Sequence, residues 1–355
     1  MRVIAIAIVS MTMLACAGHE APEQRVAVAG AAAPVLERPV ADAGGASGRA
    51  GPAGIGRVDY WLEGADSAAA IGFGTRDSLS AVSFRVAWDP GRAVIYVPTP
   101  AGRTYVVDPV ARRATSFSTI AGGRVAAFAL DNDLVLVLSG DSLAGYHAAD
   151  HRRLFAVGVG GNALVVDRGN DRVFVGGNAD SVITQVDLSA GVVARTFPVP
   201  RSGDLVLARG RLFSADMKTG VMTSFDPDSG GITHTPTDEV DAAFEYDAIA
   251  RAKAGFMQLA VSPGGDTVYA AGFSGRILAF DAATGDRAGT IELKGAGPGE
   301  RPLKLSGLAV LPDGHAFTTA ENHDVSFLVD LSSGGITRRF DHVASARWVV
   351  LRPAP

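Results

Sequence analysis

From residue 57 onward, short runs rich in Val, Phe, Tyr, Leu and Ala alternate with turns made of Asp, Gly, Pro and Ser. Runs of this length bounded by such turns predict strands, and only one segment, a short stretch within 234–256, reads as a helix. The most regular element is an apolar residue followed by Asp and a turn: Val107-Asp108, Val186-Asp187, Phe225-Asp226, Phe280-Asp281 and Val329-Asp330, with Tyr146-His147 in the same slot. In four of these a glycine follows at a fixed distance, at Gly191, Gly230, Gly285 and Gly334. Asp closes a turn through its side chain and Gly supplies positive φ, so the motif is hairpin chemistry first.

Successive markers are 39, 40, 39, 55 and 49 residues apart, an underlying period of about 40 with two insertions. Each period has room for four strands, as in Asn162–Asp167, Arg172–Gly176, Ser181–Leu188 and Val192–Val199. A four-stranded sheet cannot bury both faces until neighbours stack on it, so this period predicts an all-β fold, a β-propeller. Seven periods account for the residues after Gly56 better than six, which would leave about 35 without a role. The expectation is a seven-bladed ring, with six blades as the alternative. Ala346–Pro353 would then be the inner strand of the last blade, paired with outer strands from residues 57–81.

The segment DRVFVGGNADSVITQVDLSAGVVARTFPV is similar to the blade pattern of YVTN-type repeat propellers, and GGDTVYAAGFSGRILAFDAATGDRAGTIEL is a second close copy. GAGPGERPLKLSGLAVLPDG resembles the interblade segment of NHL-type propellers. The resemblance spans residues 82–355. It implies a fold and leaves activity open, because one fold hosts many functions.

The N-terminus predicts an address. Arg2 precedes the apolar stretch Val3–Val9, too short to span a bilayer, and a small residue, Ala15, marks a cleavage site. Met13-Leu14-Ala15-Cys16 resembles the lipobox of bacterial lipoproteins, departing from it at Met13, where Leu is usual. That resemblance implies cleavage after residue 15 and a lipid on Cys16, and Ala17 implies sorting to an outer membrane, on its periplasmic side or at the cell surface. Residues 17–56 hold 12 Ala, 8 Gly and 4 Pro with no aromatic residue, a composition that predicts a disordered tether. Its reach is roughly 35 Å. The propeller domain is expected over residues 57–355.

Composition removes other options. There are 32 basic and 37 acidic side chains and a net charge of −5, with no basic run, so nucleic acid is not an expected partner. A single cysteine excludes an internal disulfide, a four-cysteine zinc site and an iron–sulfur cluster held by this chain alone. Gly158-Val159-Gly160-Gly161 leads into a predicted strand, which removes the helix N-terminus that a dinucleotide loop needs. His147 and His151 fall on a predicted turn and are expected to be exposed; Trp61, Trp88 and Trp348 are expected to pack in strands.

In the propellers this chain resembles, ligands meet the face made by the loops joining second to third strands and one blade to the next. The first set carries Asp141, Asn178, Asp180, Asp216, Lys218, Glu321, Asn322, His323 and Asp324. Both insertions, 234–256 and 294–305, open on that same face, and long loops on a rigid scaffold are where function concentrates. Asp216, Lys218, Glu321, Asn322, His323 and Asp324 are the expected ligand or partner residues nearest the central tunnel. Glu321-Asn322-His323-Asp324 resembles the oxygen-rich calcium loops of lactonase-type propellers, which makes Ca2+ the one metal to consider. Nothing nominates a nucleophile. The favoured reading is a non-catalytic binding or scaffold module of the cell envelope, held to the membrane by an N-terminal lipid and meeting an envelope protein or small ligand. A metal-dependent lactonase, hydrolase or lyase at the tunnel mouth is the alternative.

Overall fold

The computed structural model describes residues 59–62, 85–108, 113–177, 179–241, 254–295, 303–320, 322–323, 325–341 and 349–352. The segments expected to be a signal peptide and a tether, and Cys16, lie outside these residues, as do 242–253, which include most of the segment read as a helix.

Six four-stranded antiparallel meanders follow one another along the chain. Blade one consists of Ala87–Asp89, Val94–Thr99, Arg103–Asp108 and Arg113–Ser118, and blade two of Val125–Ala129, Leu134–Leu138, Leu143–His147 and Arg153–Val157. Blade three is Ala163–Asp167, Arg172–Gly176, Ile183–Asp187 and Val192–Phe197; blade four is Ser202–Ala208, Arg211–Asp216, Val221–Phe225 and Ile232–Pro236. Blade five is Phe256–Val261, Thr267–Gly272, Arg276–Asp281 and Arg287–Glu292, and blade six is Leu305–Val310, His315–Ala320, Val325–Asp330 and Ile336–Asp341. The fold is an all-β propeller, and the four strands expected in 162–199 are found within two residues of their predicted ends at nearly every boundary.

Among the described residues the full blades number six, the alternative, and not the seven first expected. The seventh position holds a two-stranded sheet in which Asp59–Leu62 pairs antiparallel with Val349–Arg352, Asp59 opposite Arg352 and Leu62 opposite Val349. Val349–Arg352 packs against the first strand of blade six on one side and that of blade one on the other. The C-terminal strand thus finds its partner near the N-terminal end of the domain, as its lack of a following blade required.

Burial explains why the strands read as apolar runs instead of alternations. Second strands are covered on both faces by neighbouring blades: Leu134–Leu138 and Arg172–Gly176 are buried throughout. Outer strands meet water, and in Val192–Phe197 only the last residue is buried. The core lies between blades. Phe213, Ala215 and Met222 of blade four pack on Phe256, Leu259, Leu278 and Phe280 of blade five, and Leu136 and Leu143 of blade two on Leu164, Val173 and Val186 of blade three. Removing one blade therefore strips apolar cover from two others.

The marker turns have the expected chemistry. Gly191, Gly230, Gly285 and Gly334 have φ of 65°, 79°, 85° and 72°, and each donates its amide to the carbonyl of the marker Asp four residues earlier at 2.8–2.9 Å. Asp281 Oδ1 accepts the amides of Ala283 and Thr284, which hold this carboxyl below its ordinary range. In blade two His151 takes the glycine's place at φ 60°. Its ring is half-buried and stacks on Phe117 at 4.1 Å, so the expectation that His147 and His151 are exposed does not hold: both are half-buried, and burial lowers the His151 pKa. Trp88 packs as a partly buried member of the blade-one core.

Candidate functional site

Because each meander starts at the axis, the loops between second and third strands and the interblade connections share one face. Both insertions leave from it. On blade four, Asp216 ends the second strand and is buried. Its Oδ1 accepts the amides of Lys218 and Thr219 at 2.9 and 3.1 Å, and its Oδ2 accepts Arg201 Nε, from the preceding connection, at 2.9 Å. Asp216 therefore shapes the turn that presents Lys218, which is exposed.

On blade six, Asn322 Oδ1 accepts the amide of Lys304 at 2.9 Å. That bond ties the second-to-third loop to the connection leaving the 294–305 insertion. His323 is half-buried, with its amide near the carbonyl of Ala320 at 3.4 Å. Glu321, Asp324 and Asn178 lie outside the described residues. The structure places Asp216 and Lys218 two blades away from Asn322 and His323, so they form two loop sites on one face and not a single cluster. Among the described residues no group of three or more His, Cys, Asp or Glu is placed to hold a metal ion.

The residue that sequence reasoning missed is Glu239. It lies in the segment read as a helix, yet it is fully buried. Its carboxylate accepts Arg276 Nη2 at 2.8 Å, the hydroxyl and amide of Ser274, and the amide of Gly255 at 3.4 Å. Arg276 also binds Asp238 at 2.5 Å, and Arg287 reaches Asp238 at 3.1 Å. One carboxylate thereby holds together the two ends of the long insertion, residues 239 and 255, and seats both on blade five. Gly272 makes the space, since a methyl group there would come within 2.9 Å of the Glu239 carboxyl carbon. A buried carboxylate is tolerated because four donors surround it and one is a cation.

The opposite face carries a belt of polar bonds between blades. Arg92 of blade one grips Asp133 of blade two through two parallel bonds of 2.6 and 2.7 Å and also reaches Asp89 at 3.0 Å. Asn132 donates to Asp171, and Asp131 accepts the amide of Gly169 at 3.0 Å, which joins blades two and three. Arg172 of blade three binds Asp167 at 2.6 Å and Asp228 of blade four at 2.6 Å. Fork-to-fork arginine–carboxylate pairing fixes geometry as well as charge.

No family model matches the sequence, and no curated protein matches it. Solved structures do. The superposition on a structure of hydrazine synthase from Kuenenia stuttgartiensis has a TM-score of 0.60 at 11% identity, over 71% of this chain and 77% of that one. For the WD40 repeats of RRP9 the values are 0.56, 11%, 70% and 76%. BamB from Moraxella catarrhalis gives 0.53 at 17% identity, over 78% of this chain and 79% of that one. These likenesses show a shared β-propeller fold.

Proposed function

We propose that this chain is an exported, membrane-tethered β-propeller that serves as a binding or scaffold module in the cell envelope, and that its partner, a protein or small ligand, meets the insertion-bearing face. The observation that carries this reading is the anchoring of the long insertion. The residues that the forty-residue period does not need are gathered on one face, and Glu239 fixes their base to blade five. A loop held at a rigid base keeps its shape for recognition at lower entropic cost than a free one. The Met13–Cys16 sequence supports the tether, and the blade sequences support a YVTN-type repeat with an NHL-like interblade segment.

Two variants test the two halves of this reading. Replacing Cys16 by Ser is expected to move the protein from the membrane fraction to the soluble one; unchanged partitioning would remove the tether. Replacing residues 242–253 by a short Gly/Ser linker, with Glu239 and Gly255 kept, is expected to leave melting nearly unchanged, because loop length alters stability only slowly. Capture of envelope proteins by crosslinking should fall in that variant. Equal capture by parent and linker variant would place recognition elsewhere.

A further inference from the structure

Arg85 stands just before the inner strand of blade one, with its backbone bonded to Arg124 and Ala126 at the inner strand of blade two and its guanidinium reaching past them. Nη1 donates to the carbonyl of Leu164 in blade three at 2.9 Å and to Asp204 Oδ1 in blade four at 3.0 Å. Inner strands neighbour one another in the order of blades one to six, and Val349–Arg352 lies between six and one. Arg85, seated by its backbone on the inner strand of blade two, thus reaches the inner strands of the next two blades with its side chain.

Asp204 is fully buried. Its Oδ1 also accepts the amide of Leu205, and its Oδ2 accepts the amide of Leu259 in blade five, both at 2.8 Å. Gln258, next along that strand, accepts the amide of Leu308 in blade six at 2.9 Å. The inner strands of blades four, five and six each carry a one-residue bulge, after Ser202, Phe256 and Leu305, which turns an amide out of the blade's own ladder. A chain of polar bonds thus runs from the segment entering blade one through the inner strands of blades three, four, five and six.

We propose that the Arg85–Asp204 pair is a latch that ties the chain entering blade one to the inner strands of blades three and four, and that proton uptake by Asp204 opens it. The charged group acting on Asp204 is Arg85, and the amides of Leu205 and Leu259 donate to its carboxylate. Burial pushes this carboxyl up to about 6, against the pull of the Arg85 charge and of the two amides. A neutral carboxyl no longer holds the guanidinium by charge and has one fewer free acceptor for three donors.

The sign follows from linkage. A carboxyl raised in the folded state contributes stability that is fully present below its unfolded value of about 3.9 and is lost as pH rises through the folded value. The test is thermal melting of the full chain between about pH 5 and pH 8, for the parent, Asp204→Asn, Arg85→Met and Arg85→Lys. Relative to Asp204→Asn, the parent Tm should fall by several degrees as pH rises. Arg85→Met should move the midpoint of that fall to higher pH, because the carboxyl loses its cation, while Arg85→Lys should keep it near the parent's. Hydrogen exchange at the Leu259 amide, corrected for its intrinsic rate, should be faster below the midpoint than above it. Parallel profiles for parent and Asp204→Asn would overturn the latch. Should Asp204→Asn fail to fold, coincident midpoints for the parent and Arg85→Met would overturn it alone.

Discussion

The two faces of the ring use polar side chains differently. On the turn face, bonds cross from one blade to the next: Arg92 to Asp133, Asn132 to Asp171, Arg172 to Asp228. On the insertion face they join a loop to its adjoining connection: Arg201 to Asp216, Asn322 to the Lys304 amide, Glu239 to Ser274 and Gly255. The turn face is a hoop that keeps blades one to four in register. The other face is a set of separate local braces, so its loops are able to change length and sequence without loosening the ring. That division suits a scaffold whose recognition surface varies while its frame does not.

The hoop predicts the largest effect. Arg172 is almost fully buried between Asp167, also buried, and the exposed Asp228. Arg172→Ala leaves Asp167 buried without its cation, and loss of one partner of such a pair costs about 3–5 kcal/mol. Urea melts should show that loss, with partner capture unchanged while the domain stays folded. A loss below about 1 kcal/mol, the size of a surface pair, would mean that the face does not act as a hoop.

Glu239 is the most deeply buried of these insertion-face carboxylates, with none of its side chain exposed against 9% for Asp216. Glu239→Gln removes the charge that faces Arg276 and is expected to cost about 2 kcal/mol, the scale of a weakened buried hydrogen-bond set. Hydrogen exchange should rise at the amides of Gly255 and Ser274, which donate to that carboxylate. If exchange there is unchanged, the two ends of the insertion are held by something other than Glu239.

What the sequence disclosed follows the same division. The marker turns were legible because Asp and Gly act within five residues, and a local bond leaves a local pattern. The inner-strand role of Val349–Arg352 was legible because an apolar strand without a following blade needs a partner from elsewhere. Glu239 and Arg85 were not. Their partners lie 16 to 37 and 79 to 119 residues away, and neither residue differs locally from a solvated acid or base. The full-blade count went astray for a related reason: dividing length by period assigns four strands to the last position, which among the described residues has two.

The smallest effects separate the turns themselves. Gly230 and Gly285 occupy the same slot in blades four and five, both at positive φ, but their surroundings differ. A methyl on Gly230 would meet nothing within 4 Å, whereas one on Gly285 would fall 1.9 Å from Ser224 Oγ, on blade four. The carbonyl of Gly285 also accepts the Thr235 hydroxyl of blade four at 2.9 Å. Gly230→Ala should therefore cost only the backbone penalty for an L-residue at positive φ, about 1 kcal/mol. Gly285→Ala adds displacement of a packed neighbour to the same penalty and should cost roughly 1–3 kcal/mol more, the range for overpacking. Chemical denaturation of the two variants measures the difference directly. Equal losses would show that the blade-five turn is held by its own bonds alone, and that the hoop ends at blade four.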